Sequence, residues 1–511
     1  MTQGTASRAK SWSETFTAFF ERRLIAILFL GFSSGLPLAL TASTLQARQT
    51  EAGVDLATIG FFALVGVAYS LKFVWAPLID RSLPPGPFKL LGHRRGWTLL
   101  IQMALMIAIA FLGSLDPSTA LKATAAVAVI VAFLSASQDI VIDAYRIELL
   151  DDDQQGAGAA MIQYGYRLGM LVSGAGALFI AEYVSWPAAY FTMAALVGVG
   201  VITVLMTREP QRSDLSRERR DDTEASFALR LGLMVGLAAM SILAFIIIRD
   251  HLLAPLGWPK WAPNVIATLV AGLLPILIVA LLPKPHAGAH NAYLALHEWL
   301  EKSVRRPFAE MGQRQGWVLI LLFIVLYKLG DAVLGTMAMP FYLKIGFTKP
   351  EIAEVTKVFG LIATLVGVYL GGVLVLRLGM ARALLITGVL QMASNLMFAW
   401  QAHVGADLNW LYLTIAIENF TGGMGSAAFV AYLSGLCNIA FTATQYALFS
   451  SLASVGRTVL ASPMGGIAEE IGWVEYFLFS TSMALPGLIL LLFMIRRYPV
   501  TLRASGHQQS P

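Results

Sequence analysis

Apolar runs of about twenty residues recur along this chain from residue 24 to residue 495, and that recurrence restricts the fold more than any motif does. A run of that length crosses the hydrocarbon core of a bilayer, where every backbone amide must be satisfied within the chain, so each is read as a helix. The runs fall at 24–45, 56–79, 97–114, 121–145, 157–183 and 187–207, then at 227–248 and 263–282. Six more follow at 317–340, 352–376, 382–402, 409–437, 443–465 and 473–495. The expectation is an all-α polytopic membrane protein of 14 transmembrane helices, two six-helix bundles with two inserted helices between them. A content of 57% hydrophobic against 13% charged residues excludes the soluble globular classes.

Basic residues orient the chain, because Lys and Arg gather in short loops on the cytoplasmic side. When alternate loops are assigned to opposite sides, 25 of the 36 Lys and Arg fall on the side that holds both termini. Six fall on the other side, and five (Lys72, Arg167, Lys328, Lys357 and Arg457) lie within the runs. Both termini are therefore expected in the cytoplasm. The net charge of +5 reads as topological, with the anionic inner leaflet as its partner and no nucleic acid implied.

The expected units are a cytoplasmic segment 1–23, a bundle 24–207, a linker 208–226, the helix pair 227–282, a second linker 283–316, a bundle 317–495 and a tail 496–511. No cleavable signal is apparent, so the first run is expected to stay in the mature protein. In the second linker, Leu294, Leu296, Trp299, Leu300, Val304 and Phe308 recur at three- and four-residue steps, which predicts an amphipathic helix lying on the membrane or on its own domain. The inserted pair reads as free of buried charge, with a structural or lipid-facing role. A lone Cys437 and scattered His suggest no disulfide and no metal site.

Within the fourth run, Asp139 and Asp143 stand four residues apart and share a helix face. Acidic residues at mid-membrane oppose insertion by about 2.5 to 3.5 kcal/mol each, so they usually face a wet cavity and serve transport or proton relay. The bland reading puts the pair at the helix end, with Arg146 beside it. Lys72, 16 residues into its run, is expected to snorkel to the cytoplasmic interface, and Lys357 to snorkel outward.

A weak internal repeat relates the fifth run of each block. Gln163-Tyr164 precedes Arg167, Glu182 and Trp186, while Gln445-Tyr446 precedes Arg457, Glu469 and Trp473, with a slip of five residues. The loop after the second run, Asp80-Arg81 followed by Gly92-His-Arg94-Arg95-Gly96, resembles the cytoplasmic-loop motif of the major facilitator superfamily. Parallel six-helix halves around a midplane site are how that superfamily is built, so the resemblance implies a major facilitator fold. Asp80, Arg81, Arg94 and Arg95 are read as a conformational latch, in which Asp80 pairs with arginine and a neighbouring helix N-terminus in one state only. This loop is longer and richer in Pro than the usual motif. Its counterpart, Arg377 to Arg382, lacks the acid.

Four segments carry a more specific resemblance: Gly31–Leu40, Gln138–Tyr145, Glu418–Gly425 and Thr442–Leu448. They are similar to AmpG-type muropeptide permeases, over nearly the whole chain and including the inserted pair. The resemblance implies proton-driven import of anhydro-muropeptides from periplasm to cytoplasm across the inner membrane of a Gram-negative cell, in peptidoglycan recycling. It implies no cofactor beyond the proton gradient, and it maps the family's membrane aspartates onto Asp139 and Asp143. Such a cargo, a disaccharide bearing an acidic peptide, wants cations and sugar-binding groups. Arg167, Lys328, Asp331 and Arg457 are the candidates that could converge from both halves, with Arg suited to bidentate carboxylate binding. A local Lys328–Asp331 ion pair is the competing reading.

Glu418 is either a further protonatable site or an acceptor for sugar hydroxyls, with Asn419 beside it. Gln163, Tyr164, Tyr166, Tyr327, Tyr369 and Tyr446 complete the candidate set, the aromatics because a phenol ring can stack on a sugar. Two alternatives stand beside this reading. One is a carrier of another bulky anion; the other is a membrane enzyme using the aspartates as acid and base, which the absence of a nucleophile–base constellation disfavours.

Overall fold

In a computed structural model of the chain, every helix or strand assigned among the described residues is helical. The structure describes residues 19–54, 62–210, 227–258, 261–283, 291–348, 351–352, 354–461 and 464–498. Most of the expected N-terminal segment, first linker and tail therefore lies outside the described residues.

The first half holds α1 (Arg22–Thr41), α2 (62–81), α3 (His93–Ser114), α4 (Leu121–Leu149), α5 (155–183) and α6 (Trp186–Met206). Then come α7 (Phe227–Ile246), α8 (Trp261–Leu281) and a linker helix, α9 (291–313). The second half holds α10 (Trp317–Ile345), α11 (Gly360–Leu378), α12 (Met380–Val404), α13 (Leu408–Gly435), α14 (Thr442–Ala461), the short α15 (Met464–Ile471) and α16 (Trp473–Arg497). Among the described residues nine helices are long and apolar enough to cross a membrane, or ten if α13 and the start of α14, which meet at 95°, are joined as one span.

The interruption of α2 has a local cause. Pro77 lies in the first turn of Ala76–Arg81 and lacks the N–H that a continuous helix would need there. The chain tightens into a 3-10 turn at Lys72–Val74 before that final helical piece begins.

Glycines bring the helices of each half into backbone contact. A Cβ on Gly165 of α5 would stand 1.9 Å from the Leu28 carbonyl oxygen of α1, and one on Gly35 of α1 would stand 2.1 Å from the Tyr166 carbonyl oxygen of α5. In the second half a Cβ on Gly367 of α11 would meet the Phe420 carbonyl oxygen of α13 at 2.0 Å. Close approach of this kind supplies packing where lipid gives no hydrophobic drive between helices. The two halves touch where α2 and α4 pack on α14, and where α5 packs on α11 and α13.

Helix α9 packs on protein. Trp299 is fully buried, as are Leu300 and Met311 nearly so, and Trp299 shares an apolar cluster with Leu36 of α1 and Ala447 of α14. Of the two placements open from its sequence, the structure takes the packed one. The inserted pair straddles the seam between the halves, α7 against α2 and α8 against α14. It does carry a buried charge, contrary to expectation. Arg230 is 7% exposed, with its guanidinium 5.8 Å from the Trp299 ring centre and donating to Ser82 Oγ at 3.4 Å. Arg230 had been counted with the loop before α7, and the aromatic face of α9 is what draws it in.

The repeat also resolves in space. Gln163 lies eight residues past the start of α5 at Gln155, whereas Gln445 lies three residues past the start of α14 at Thr442. The five-residue slip is thus matched by a difference of five in the distance of each Gln-Tyr pair from the start of its helix.

Gly165→Ala is expected to lower the thermal midpoint of the detergent-solubilised protein, by overpacking on the order of 1–3 kcal/mol. Gly236→Ala on α7, where an added Cβ has no atom within 4 Å, is expected to leave it unchanged. Equal midpoints for the two variants, followed by fluorescence-detected size exclusion on heating, would refute the close-packing account.

Candidate functional site

At one end of the bundle a buried charge cluster joins the halves. Asp80, at the end of α2, is fully buried and accepts from Arg94 Nη2 at 2.6 Å. Arg94 is shared with Glu148 of α4, which accepts at 2.8 and 3.2 Å. The second oxygen of Asp80 crosses to the other half, accepting from the Thr444 amide at 3.1 Å and the Thr444 hydroxyl at 3.0 Å in the first turn of α14. A carboxylate is favoured at such a helix N-terminus by the free N–H groups and the helix dipole.

Neighbouring groups brace the cluster. Glu209 accepts from the amides of His93, Arg94 and Arg95 at 2.8–3.0 Å, closing the N-terminus of α3. Arg95 donates to the Val204 carbonyl at 2.9 Å. Arg81 donates to the Lys302 carbonyl of α9 at 3.3 Å and lies 5.0 Å over the Phe441 ring. Sequence reasoning named Asp80 and the arginines but missed Glu148, Glu209 and Thr444. The available signals were an acid two residues after Arg146 and a threonine opening an apolar run.

Deeper in the first half, Asp139 accepts a short hydrogen bond from Ser34 of α1, and its charged neighbours are Lys72 and Asp143. Lys72 is 7% exposed in the 3-10 turn of α2, so it faces the helix core near Asp139 and does not snorkel as expected. The tightened turn rotates it away from the course a regular helix would give it. Nearby, Trp75 Nε1 donates to Ser137 Oγ at 2.9 Å and Gln138 Nε2 donates to the Ser33 carbonyl at 3.0 Å, tying α1, α2 and α4 together.

Asp143 has a different partner, Arg146 Nη2 at 3.4 Å, and its side chain is 17% exposed. The buried Arg146 guanidinium lies 5.5 Å from the ring centre of Tyr446, across the seam on α14. One helix face thus presents two aspartates with separate charge partners.

In the second half Lys328 Nζ donates to Asp331 at 3.0 Å, to Gln391 Oε1 at 3.1 Å and to Ser426 Oγ at 3.4 Å, and Gln391 Nε2 donates to Asp331 at 2.5 Å. The lysine and aspartate form a local ion pair, held by the polar Gln391 that sequence reasoning passed over. The charged neighbours of Glu418 are Asp331, Lys328 and, from the other half, Arg167. Asn419, beside it, accepts from Thr364 Oγ1 at 2.8 Å.

The remaining candidates are placed elsewhere. Tyr327 is buried, stacked on Phe429 with ring centres 5.3 Å apart, and donates to the Leu384 carbonyl at 2.9 Å. Tyr446 is buried under Arg146, so in this conformation neither tyrosine offers a free ring face. Tyr164 packs with Tyr369 in the apolar cluster around Phe19 and Val368. Gln163 is partly buried on α5, with its Nε2 lacking a hydrogen-bond partner. Arg457 belongs to α14, but its side chain, like that of Lys357, lies outside the described residues. No group of three or more His, Cys, Asp or Glu among the described residues could hold a metal ion.

Two packed helical halves, a buried acid–arginine cluster where they meet and buried ionisable groups within each half are the architecture of a membrane transporter. The Major Facilitator Superfamily matches residues 24–437, and the chain belongs to it. Two solved structures share the fold: the human organic anion transporter MFSD10, at TM-score 0.55 and 16% identity over 92% of this chain and 99% of that one, and the proton:xylose symporter XylE, at TM-score 0.60 and 13% identity over 95% and 96%. Within the superfamily the chain is 40% identical over 483 residues to the anhydromuropeptide permease of Escherichia coli K12, spanning 94% of this chain and 81% of that protein. It is a transporter of that permease type and not an enzyme.

The latch generates a prediction that uses the chain's single, buried thiol. Cys437 is buried just past the end of α13, with Arg314, Arg146 and Asp80 among its charged neighbours. Asp80→Asn removes the Arg94 ion pair and weakens the grip on α14, a loss of about 1.5–3 kcal/mol. Maleimide modification of Cys437 is therefore expected to speed up by roughly tenfold or more in folded Asp80→Asn protein. An unchanged labelling rate would show that Asp80 does not hold this end shut.

Proposed function

We propose that this transporter imports anhydro-muropeptides from the periplasm into the cytoplasm, in symport with protons, as a step in peptidoglycan recycling. The observation that carries the reading is the 40% identity, across 94% of the chain, with a protein named for anhydromuropeptide permeation. The reading takes the membrane helices to 14 by counting α2, α5, α8, α13 and α14 with the nine that qualify on length and apolarity alone. Both termini then lie in the cytoplasm of a Gram-negative cell, on the side where basic residues gather. The latched end is cytoplasmic, and this conformation is closed to the cytoplasm.

Alternating access is a rocking of α1–α6 against α10–α16 about a site between them. Arg167, facing Glu418 across the halves, and Lys328 are the cations that engage the carboxylates of the peptide, while Asp331, Asn419 and Gln163 supply polar contacts to the sugar. Arg457 is the further cation assigned to this set. Asp139, Asp143 and Glu418 are the proton-coupling candidates. Uptake of a proton by Asp139 leaves Lys72 without its counter-charge, which changes the balance of contacts at the seam and couples the gradient to the conformational equilibrium.

Reconstituted protein is expected to accumulate radiolabelled N-acetylglucosaminyl-anhydro-N-acetylmuramic acid when an inward proton gradient is imposed. Asp139→Asn is expected to reduce that accumulation by at least about tenfold. Uptake that ignores the gradient would refute proton coupling, and no uptake of this sugar or its peptide-bearing forms by folded protein would refute the cargo. Arg167→Ala is expected to weaken peptide-bearing ligand by about tenfold, for loss of a charged hydrogen bond, and the bare disaccharide much less. Equal losses in calorimetric Kd for the two ligands would exclude a carboxylate-binding role.

A further inference from the structure

The charge pair of the second half is held by a brace that the fold uses twice. In the first half Gln102 of α3, the third helix, donates to Ser33 Oγ of α1, the first helix, at 3.3 Å. In the second half Gln391 of α12, again the third helix, reaches α10, again the first, and bonds to both Lys328 and Asp331. Each time a glycine of a further helix makes the room. A Cβ on Gly200 of α6 would stand 2.2 Å from Gln102 Nε2, and one on Gly425 of α13 would stand 2.1 Å from Gln391 Oε1. Both glutamines are buried. The brace meets a neutral hydroxyl in one half and an ion pair in the other, so only in the second half does it fix charges.

An amide suits that use because it carries an acceptor and a donor side by side. Gln391 Oε1 accepts from Lys328 Nζ at 3.1 Å while its Nε2 donates to Asp331 Oδ2 at 2.5 Å, and Lys328 Nζ donates to the same Oδ2 at 3.0 Å. The three bonds close a triangle in which each side chain is held by the other two. The remaining donor of Lys328 goes to Ser426 Oγ at 3.4 Å, the longest of its bonds. Both bonds to Asp331 fall on Oδ2, which leaves Oδ1 for the open side. The Asp331 side chain is 33% exposed, midway along the 29 residues of α10. An exposed carboxylate at that depth faces an internal, water-filled space rather than lipid.

We propose that Gln391 is a positioning residue of the cargo site, which by fixing Lys328 and Asp331 aims Asp331 Oδ1 at a hydrogen-bond donor of the cargo, a hydroxyl or an amide N–H. This deepens the muropeptide reading and rests on it. A disaccharide with acetamido groups offers several such donors. The Lys328–Ser426 bond is the one a cargo carboxylate replaces at least loss, because it is the longest. Gln391 itself touches no cargo. With both charges held before binding, the cargo does not have to order them, and affinity rises by what that ordering would have cost.

The test exchanges the amide and the carboxylate in full-length protein. Gln391→Met keeps the volume and deletes both bonds, while Gln391→Glu keeps the acceptor for Lys328 and sets a second carboxylate against Asp331. Each is expected to raise the calorimetric Kd for N-acetylglucosaminyl-anhydro-N-acetylmuramic acid about fivefold to tenfold, for side chains left to be ordered on binding. Asp331→Asn alone is expected to weaken binding as well. With Gln391→Glu and Asp331→Asn together, amide and carboxylate have changed places and the triangle closes again, so the double variant is expected to bind more tightly than either single one. Losses that simply add in the double variant, as a packing role for Gln391 would give, would overturn the proposal. The brace is also read without cargo, from the rate at which acetic anhydride modifies Lys328 relative to the exposed Lys122 of the first half, followed by mass spectrometry. Gln391→Met is expected to raise that ratio about tenfold, for loss of a hydrogen bond to a charged group. An unchanged ratio would overturn the proposal whatever the cargo. A raised ratio in a protein whose wild type binds no muropeptide would keep Gln391 as the brace of this pair and discard the muropeptide reading.

Discussion

The buried guanidinium of Arg94 is the contact on which the arrangement of the two halves depends. Two carboxylates, Asp80 and Glu148, share it inside the first half. The second oxygen of Asp80 is taken by the N-terminus of α14, reached through the amide and hydroxyl of Thr444. One buried carboxylate thus bonds to both halves at once.

Much of this was legible in the sequence. The acid–base order of Asp80, Arg94 and Arg95 pointed to a pairing with arginine and a helix N-terminus, and the structure supplies both. Apolar period gave the all-helical character of the chain. What stayed hidden was tertiary. Glu148 reads as a surface acid after a membrane helix until the fold brings Arg94 to it. Lys72 was misplaced because depth was measured along an ideal helix, whereas the 3-10 turn before Pro77 redirects the side chain. Arg230 was misplaced because nothing in its own neighbourhood announces Trp299, which lies 69 positions later in the chain. Tyr327 shows the general difficulty with aromatic candidates: composition cannot say whether a phenol faces a cavity or, as here, a carbonyl of the next helix.

The inserted helices and the linker between them and the second half form one construction. Helix α7 lies on α2, α8 lies on α14, and α9 passes beneath both. Arg305 of α9 donates to the Val279 carbonyl at the end of α8 at 2.9 Å, Gln445 of α14 donates to Glu310 at 2.5 Å, and Arg314 reaches the Leu436 carbonyl at the end of α13. These arginines satisfy carbonyls that helix ends leave open, so the linker finishes the helices it touches. The covalent connection between the halves is thereby built into the seam, beside the same α2 and α14 that meet through Asp80.

The glycine contacts of α1 with α5 and of α11 with α13 have a mechanical consequence. Backbones that approach to where no Cβ fits cannot slide along one another without first separating. Each half therefore moves as a stiff lever whose arm is the length of its helices, about 30 Å for the 20 residues of α1. A tilt of about ten degrees at one end displaces the other by about 5 Å over that arm. Displacement of one half against the other is thus carried along the whole length of its helices, with none in either half needing to unfold.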